Sequence, residues 1–194
     1  MPLHLLYTID TLDPLFPFRI EGIRFLPIFY CLSYNSASMS YLPHSDGTVE
    51  VSWIEHVDCF DDFPYDNYPE SFRQCNVALL PLSEDEAMRL EVAKSEWSAF
   101  ELDRDRDHLY NIEQGIEDLG TRFGGWHFLC QGPPRPKCKN PKCPDGLTQV
   151  FGVIYNAPVN GVRLWDPDDD WSDSQTIFHV CSSCRTIHVF NSCT

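Results

Sequence analysis

The chain has 194 residues, 43 % of them hydrophobic and 22 % charged, which is enough apolar material for one domain with a sizeable core and excludes a disordered chain. It holds 29 Asp and Glu against 14 Lys and Arg, a formal net charge of −15 that disfavours nucleic acid and anionic membranes as partners. The longest apolar run falls well short of the roughly 20 residues that cross a bilayer. The opening MPLHLLYTIDTLD lacks a basic n-region, so a cytoplasmic protein without a secretory signal is expected.

Strands are predicted first, at LHLLYTID and in the longer aromatic and branched run IRFLPIFYCLSYN. A loop carrying Pro43, Ser45, Asp46 and Gly47 leads to TVEVSWIEHV, where Val49, Val51 and Trp53 alternate with polar neighbours as in a half-buried strand. The next stretch, DCFDDFPYDNYPESF, mixes acids, aromatics and prolines and reads as an exposed irregular segment. A helix follows. Ser83 and Glu86 form a capping box, three acids occupy the first turn, and Ala87, Leu90, Ala93, Trp97 and Phe100 recur at helical spacing. A weaker helix takes in Leu109, Ile112, Ile116 and Leu119 and ends near Gly120. Four further strands are predicted at TQVFGVIYN, GVRLW, QTIFHV and TIHVF.

The expected fold is therefore α+β and mainly antiparallel. A single domain spans 1–194, with a β-rich unit at about 1–80, a helical acidic segment at about 83–119 and a C-terminal β unit at about 120–194. LLYTID echoes VFGVIYN and LPIFYC echoes TIFHVC, a pattern of two related β units.

Charge is segregated along this plan. Residues 46–118 carry 20 Asp and Glu against 5 Lys and Arg, so the whole excess lies in the middle third while the flanks cancel. One reading is a solvated face kept for solubility. The other is a surface for a basic partner. Asp58, Asp61, Asp62 and Asp66 interleave with Phe63, Tyr65 and Tyr68 there, so carboxylates and aromatic anchors coincide.

Nine cysteines in a reducing compartment point to metal ligation before disulfides. Cys138 and Cys143 bracket KNPK in a Pro- and Gly-rich loop, and Cys181 and Cys184 form a Cys-x-x-Cys at the end of a strand. Two such pairs on turns can present four thiolates to a structural Zn²⁺ in a zinc-ribbon-like site. Arg135, Lys137, Lys139 and Lys142 would offset its charge. The alternatives are unligated thiols and a redox pair, with Cys130, His179, His188 and Cys193 as reserve ligands. Cys31, Cys59 and Cys75 stand alone and read as inert thiols. The Asp166–Asp173 cluster lacks the spacing and central Gly of an EF-hand loop and reads as a solvated turn. No His-Glu-x-x-His, Gly-x-Ser-x-Gly, phosphate loop, dinucleotide fingerprint or deaminase signature is present, so no enzymatic turnover is expected.

The segment FGGWHFLCQ resembles the Gly-Gly-aromatic-Pro-x-aromatic-x-Gln motif of the bacterial YwqG-like family, relatives of the eukaryotic programmed-cell-death-2 proteins. His127 stands where that motif has Pro. The resemblance continues through the pair Cys138 and Cys143, VFGVIYN, the turn WDPDDDWSD and IFHVCSSC, over about the last 75 residues. It implies an internally duplicated β-rich fold with no established enzyme activity. Bacterial members often serve as immunity proteins beside polymorphic toxins, and eukaryotic relatives chaperone a basic ribosomal protein. The expectation is a non-enzymatic protein that neutralises a cognate toxin through an acidic surface. The alternatives are a chaperone-like binder of a basic client and a metalloenzyme.

Overall fold

The computed structural model describes residues 3–32, 38–55, 72, 74–105, 107–109, 111–112, 120–124, 137–143, 145–155 and 174–193. Strands β1 (His4–Asp10) and β2 (Phe25–Tyr30) form an antiparallel pair. Strands β3 (Ser38–Pro43) and β4 (Val49–Glu55) come next, followed by helix α1 (Glu84–Asp103). The rest of the sheet is β5 (Arg122–Phe123), β6 (Thr148–Tyr155), β7 (Ser174–Cys181) and β8 (Ile187–Cys193). β3 to β8 make one six-stranded antiparallel sheet in the order β4-β3-β8-β7-β6-β5. The fold is α+β with antiparallel sheets, as the residue pattern predicts. The N- and C-terminal β segments meet in a single sheet, because β3 pairs with β8.

The two sheets share one hydrophobic cluster. Ile9, Leu26, Ile28 and Tyr30 of the two-stranded sheet pack with Met39, Tyr41, Phe178, Val180, Ile187 and Val189 of the larger one. Strand alternation puts those six on one face of the large sheet. A polar bond ties the layers: the buried Tyr41 hydroxyl accepts from the Phe29 amide at 3.1 Å and donates to the Pro27 carbonyl at 3.2 Å. Burial first of all, against that amide bond, raises the pKa of this phenol, so it stays neutral.

The opposite face of the sheet is also buried, and more polar. Ser40, Ile177 and His179 are fully covered and His188 nearly so. Ser40 Oγ lies 2.8 Å from His188 Nδ1, and Thr148 Oγ1 lies 3.1 Å from His179 Nδ1. Burial, reinforced by the charge of Lys139, pushes the His188 pKa down to about 4, so the ring is neutral at pH 7.

Helix α1 begins at the predicted capping box. Ser83 Oγ accepts from the Glu86 amide at 3.2 Å while the Glu86 carboxylate accepts from the Ser83 amide at 2.7 Å. Arg104 in left-handed conformation closes the other end. Leu90 and Ala93 are buried, but they pack on Ile112 and Leu109 of a second helical segment, at residues 107–109 and 111–112. The helices thus form their own small cluster, separate from the core of the two sheets. Among the described residues no helix is long and apolar enough to cross a membrane.

Candidate metal centre

Two chain turns build the site. In the first, Lys137 and Leu147 face each other as an antiparallel bridge and the Cys138 amide donates to the Gly146 carbonyl at 2.8 Å. Between them the Asn140 carboxamide oxygen accepts from the Lys142 amide, and the Asn140 carbonyl accepts from the Cys143 amide. This Asn-led turn takes up the four residues between the two cysteines and returns the second thiol to the first. The second turn follows β7. Cys181 ends the strand, residues 182–184 turn, and Arg185 takes a φ of +65° while its amide donates to the Cys181 carbonyl at 2.9 Å. The Cys181 amide bonds the Thr186 carbonyl and starts β8.

The long interval between the pairs is closed by the sheet itself. Thr148, the first residue of β6, is in register with Cys181, the last of β7, and the Ser182 amide reaches the Leu147 carbonyl at 3.4 Å. Chain that leaves the first turn must therefore return to it at the second.

All four predicted ligands converge. The sulfurs of Cys138, Cys143, Cys181 and Cys184 lie within 4.8 Å of one another. Cys138 to Cys184 is 3.6 Å and Cys143 to Cys181 is 3.9 Å. A tetrahedron of sulfurs about 2.3 Å from a central Zn²⁺ has edges of about 3.8 Å, so these two edges already fit. Both are far longer than a disulfide bond of about 2.05 Å. Cys138 and Cys181 are buried, while Cys143 and Cys184 are half-buried.

Gly146 makes room for this packing. A Cβ there would lie 2.6 Å from Cys143 Sγ, 2.7 Å from Cys181 Sγ and 2.9 Å from the Cys138 Cβ. Around the sulfurs, Asn140 Nδ2 donates to Thr186 Oγ1 at 2.9 Å and approaches Cys184 Sγ at 3.8 Å, while Thr186 Oγ1 lies 3.1 Å from that sulfur. Burial works against ionising Cys184, but these Thr186 contacts and the neighbouring thiols outweigh it and bring its pKa down to about 7. Burial raises Cys138 to about 12, and the bond to Cys184, with burial behind it, raises Cys143 to about 11. Of these three thiols Cys184 is the most readily ionised, and a divalent cation bound here would displace the protons of the others.

The basic residues named as charge compensation divide. Lys139 sits over the Trp53 ring at 5.1 Å, anchoring the first turn to β4. Arg135 lies outside the described residues, as do Cys59, Cys130, Asp166–Asp173 and the whole stretch Asp58–Tyr68 proposed to meet a partner. Cys31 is buried and Cys75 exposed, and neither belongs to the cluster. His179 and His188 belong to the polar face of the sheet and do not join it. Sequence reasoning missed Gly146, Asn140, Thr186 and Arg185. Only Gly146, three residues after a cysteine in a turn, carried a local signal.

Comparison with protein-family models, with curated proteins and with solved structures finds no match for the chain.

Proposed function

We propose that the chain is a non-enzymatic binding protein, stapled by a structural Zn²⁺ on Cys138, Cys143, Cys181 and Cys184, that neutralises a basic antibacterial toxin as its immunity protein. The observation that carries the binding role is the outer side of α1. Residues 84–103 carry seven acids against two bases. On the side away from Leu90 and Ala93, Met88, Val92 and Leu102 are 65 %, 51 % and 88 % exposed. Apolar side chains framed by carboxylates suit a partner with a basic rim, and the acidic field would speed their encounter. The resemblance to YwqG-like proteins supports the same role, as does the acidic-aromatic stretch Asp58–Tyr68.

Zinc fits the donor set. Four thiolates suit a borderline-soft, tetrahedral cation and complete its coordination shell in a zinc-ribbon-like arrangement. The metalloenzyme reading rests on these same cysteines and requires an open position for water, which a four-thiolate shell leaves no room for. The test combines elemental analysis with protection. About one zinc per chain is expected. Cells expressing a toxin encoded beside this gene should survive with the wild-type protein. Protection should fall when Glu84, Glu91 and Glu101, or Asp61, Asp62 and Asp66, are changed to Lys. Binding of a basic ribosomal protein, with no protection, would favour the chaperone reading. Turnover abolished by a metal-ligand variant would favour the enzyme.

A further inference from the structure

Cys138 and Cys143 stand on the first turn, Cys181 and Cys184 on the second. Two close thiol–thiol contacts cross from one turn to the other: Cys138 meets Cys184 at 3.6 Å, and Cys143 meets Cys181 at 3.9 Å. Each contact joins a half-buried sulfur to a buried one, Cys184 to Cys138 and Cys143 to Cys181. An oxidant arriving from solvent therefore meets one thiol of each pair first, with its partner directly behind. Sulfurs of a disulfide lie about 2.05 Å apart, so each sulfur need move by less than about 1 Å to close either bond. The turns are also tied through the backbone, by the Ser182 amide on the Leu147 carbonyl and by the register of Thr148 with Cys181. The four sulfurs thus remain neighbours while the bonds between them change.

Hydrogen peroxide is an oxidant small enough to reach the half-buried thiols. One thiolate of a pair attacks a peroxide oxygen; an S–O bond forms, the O–O bond breaks and hydroxide leaves. Its partner thiolate attacks the resulting sulfenic sulfur; the S–S bond forms, the S–O bond breaks and a second hydroxide leaves. Two electrons pass from the sulfur pair to one peroxide, and each hydroxide takes a proton from solution to become water. Oxidation of both pairs consumes two peroxides and four protons and leaves no thiolate to hold a cation.

We propose that the cluster is an oxidation-sensitive site, at which hydrogen peroxide exchanges a metal tie for two disulfides, Cys138 to Cys184 and Cys143 to Cys181, that keep the same two turns joined. Metal release rests on the Zn²⁺ reading above, whereas the pairing rests on the sulfur positions. The test treats the full-length protein with hydrogen peroxide, both zinc-loaded and after zinc removal, and maps disulfides by mass spectrometry of unreduced digests. Both forms should give the two cross-turn bonds, and dithiothreitol should restore all four thiols. The zinc-loaded form should also release about one ion per two peroxides consumed, read with a chromophoric indicator. Cys184→Ser should leave only the bond from Cys143 to Cys181 within the cluster, and Cys143→Ser only that from Cys138 to Cys184. The oxidised chain should melt above the reduced, zinc-free chain, because both bonds close the long interval between the turns. A protein that binds no zinc refutes the Zn²⁺ reading, and its disulfide map still decides the pairing. The proposal is overturned if the bonds form within a turn, if they join separate chains, if the four thiols survive millimolar peroxide, or if the oxidised chain melts below the reduced, zinc-free one. Should either variant fail to fold, the wild-type map decides.

Discussion

Replacing Gly146 with Ala is the sharpest test of how the four cysteines are held. The new methyl would sit 2.6 Å and 2.7 Å from the sulfurs of Cys143 and Cys181. Ordinary contact between such atoms is about 3.5–4.0 Å, so each sulfur must retreat by about 1 Å. Metal–ligand bonds tolerate only about 0.2 Å, so two of four ligands lose their positions together. Changes in the groups that merely support metal ligands already cost 10- to 100-fold in affinity, and a loss of roughly 100-fold or more is expected here. A hundredfold is about 2.7 kcal/mol of metal-dependent stability, or about 5–11 °C in Tm for a chain of this length. Competition with a chromophoric chelator measures the affinity, and melting curves with and without zinc measure the coupling. In the metal-free protein the sulfurs can give way, so wild type and variant should melt close together once zinc is removed. If Gly146→Ala keeps wild-type affinity, or lowers Tm equally with and without zinc, the sulfurs are not gathered for a metal.

Three other outcomes follow from the same geometry. Changing any one of Cys138, Cys143, Cys181 or Cys184 to Ser should take bound zinc from about one per chain to near zero after dialysis, whereas Cys31→Ser and Cys75→Ser should leave it unchanged by elemental analysis. His108 clips the helical pair, with Nδ1 2.8 Å from Glu96 and Nε2 3.4 Å from Asp103. Its bond to Glu96, helped by Asp103, raises its pKa above the ordinary 6.5, and the hydrogen bonds of Glu96 to His108 and of Asp103 to the Asp105 amide lower those acids below 4.5 and 3.8. The imidazolium contribution is therefore complete below pH 6.5 and lost as pH rises through the raised value. The carboxylate contribution is complete above pH 4.5 and lost as pH falls through the lowered ones. Protection of the α1 amides, taken relative to intrinsic exchange at the same pH, should be greatest between those limits, and His108→Gln should flatten the alkaline side. Ser83→Ala should cost about 1 kcal/mol and speed exchange in the first turn of α1 only.

Local patterns were legible because their chemistry is local. The capping box needs only Ser83 and Glu86, and each cysteine pair closes through its own turn, so these features follow from spacing. The periodic stripe of α1 was legible too, but not what covers it: Trp97 is only partly buried, in a cluster with the second helical segment rather than a sheet. β3 was not legible. Its sequence SMSYLP has weak strand character, and it becomes a strand by pairing on both sides, with β4 and with β8. Gly146 was legible only in part: a glycine three residues after Cys143 marks the turn, but the Cys181 sulfur it admits comes from the far end of β7.

The place of β3 has a consequence for how the chain comes off the ribosome. Its hairpin with β4 is complete early, but its other neighbour is the last strand, and Ser40 meets His188 across 148 residues. At roughly 5–20 residues per second, that partner arrives about 7–30 s later. A two-stranded ribbon is marginal on its own. Until β8 emerges, it offers one open row of backbone donors and acceptors, even though Met39 and Tyr41 already have β1 and β2 to pack on. Truncation before residue 187 should therefore give aggregated chain rather than a smaller domain.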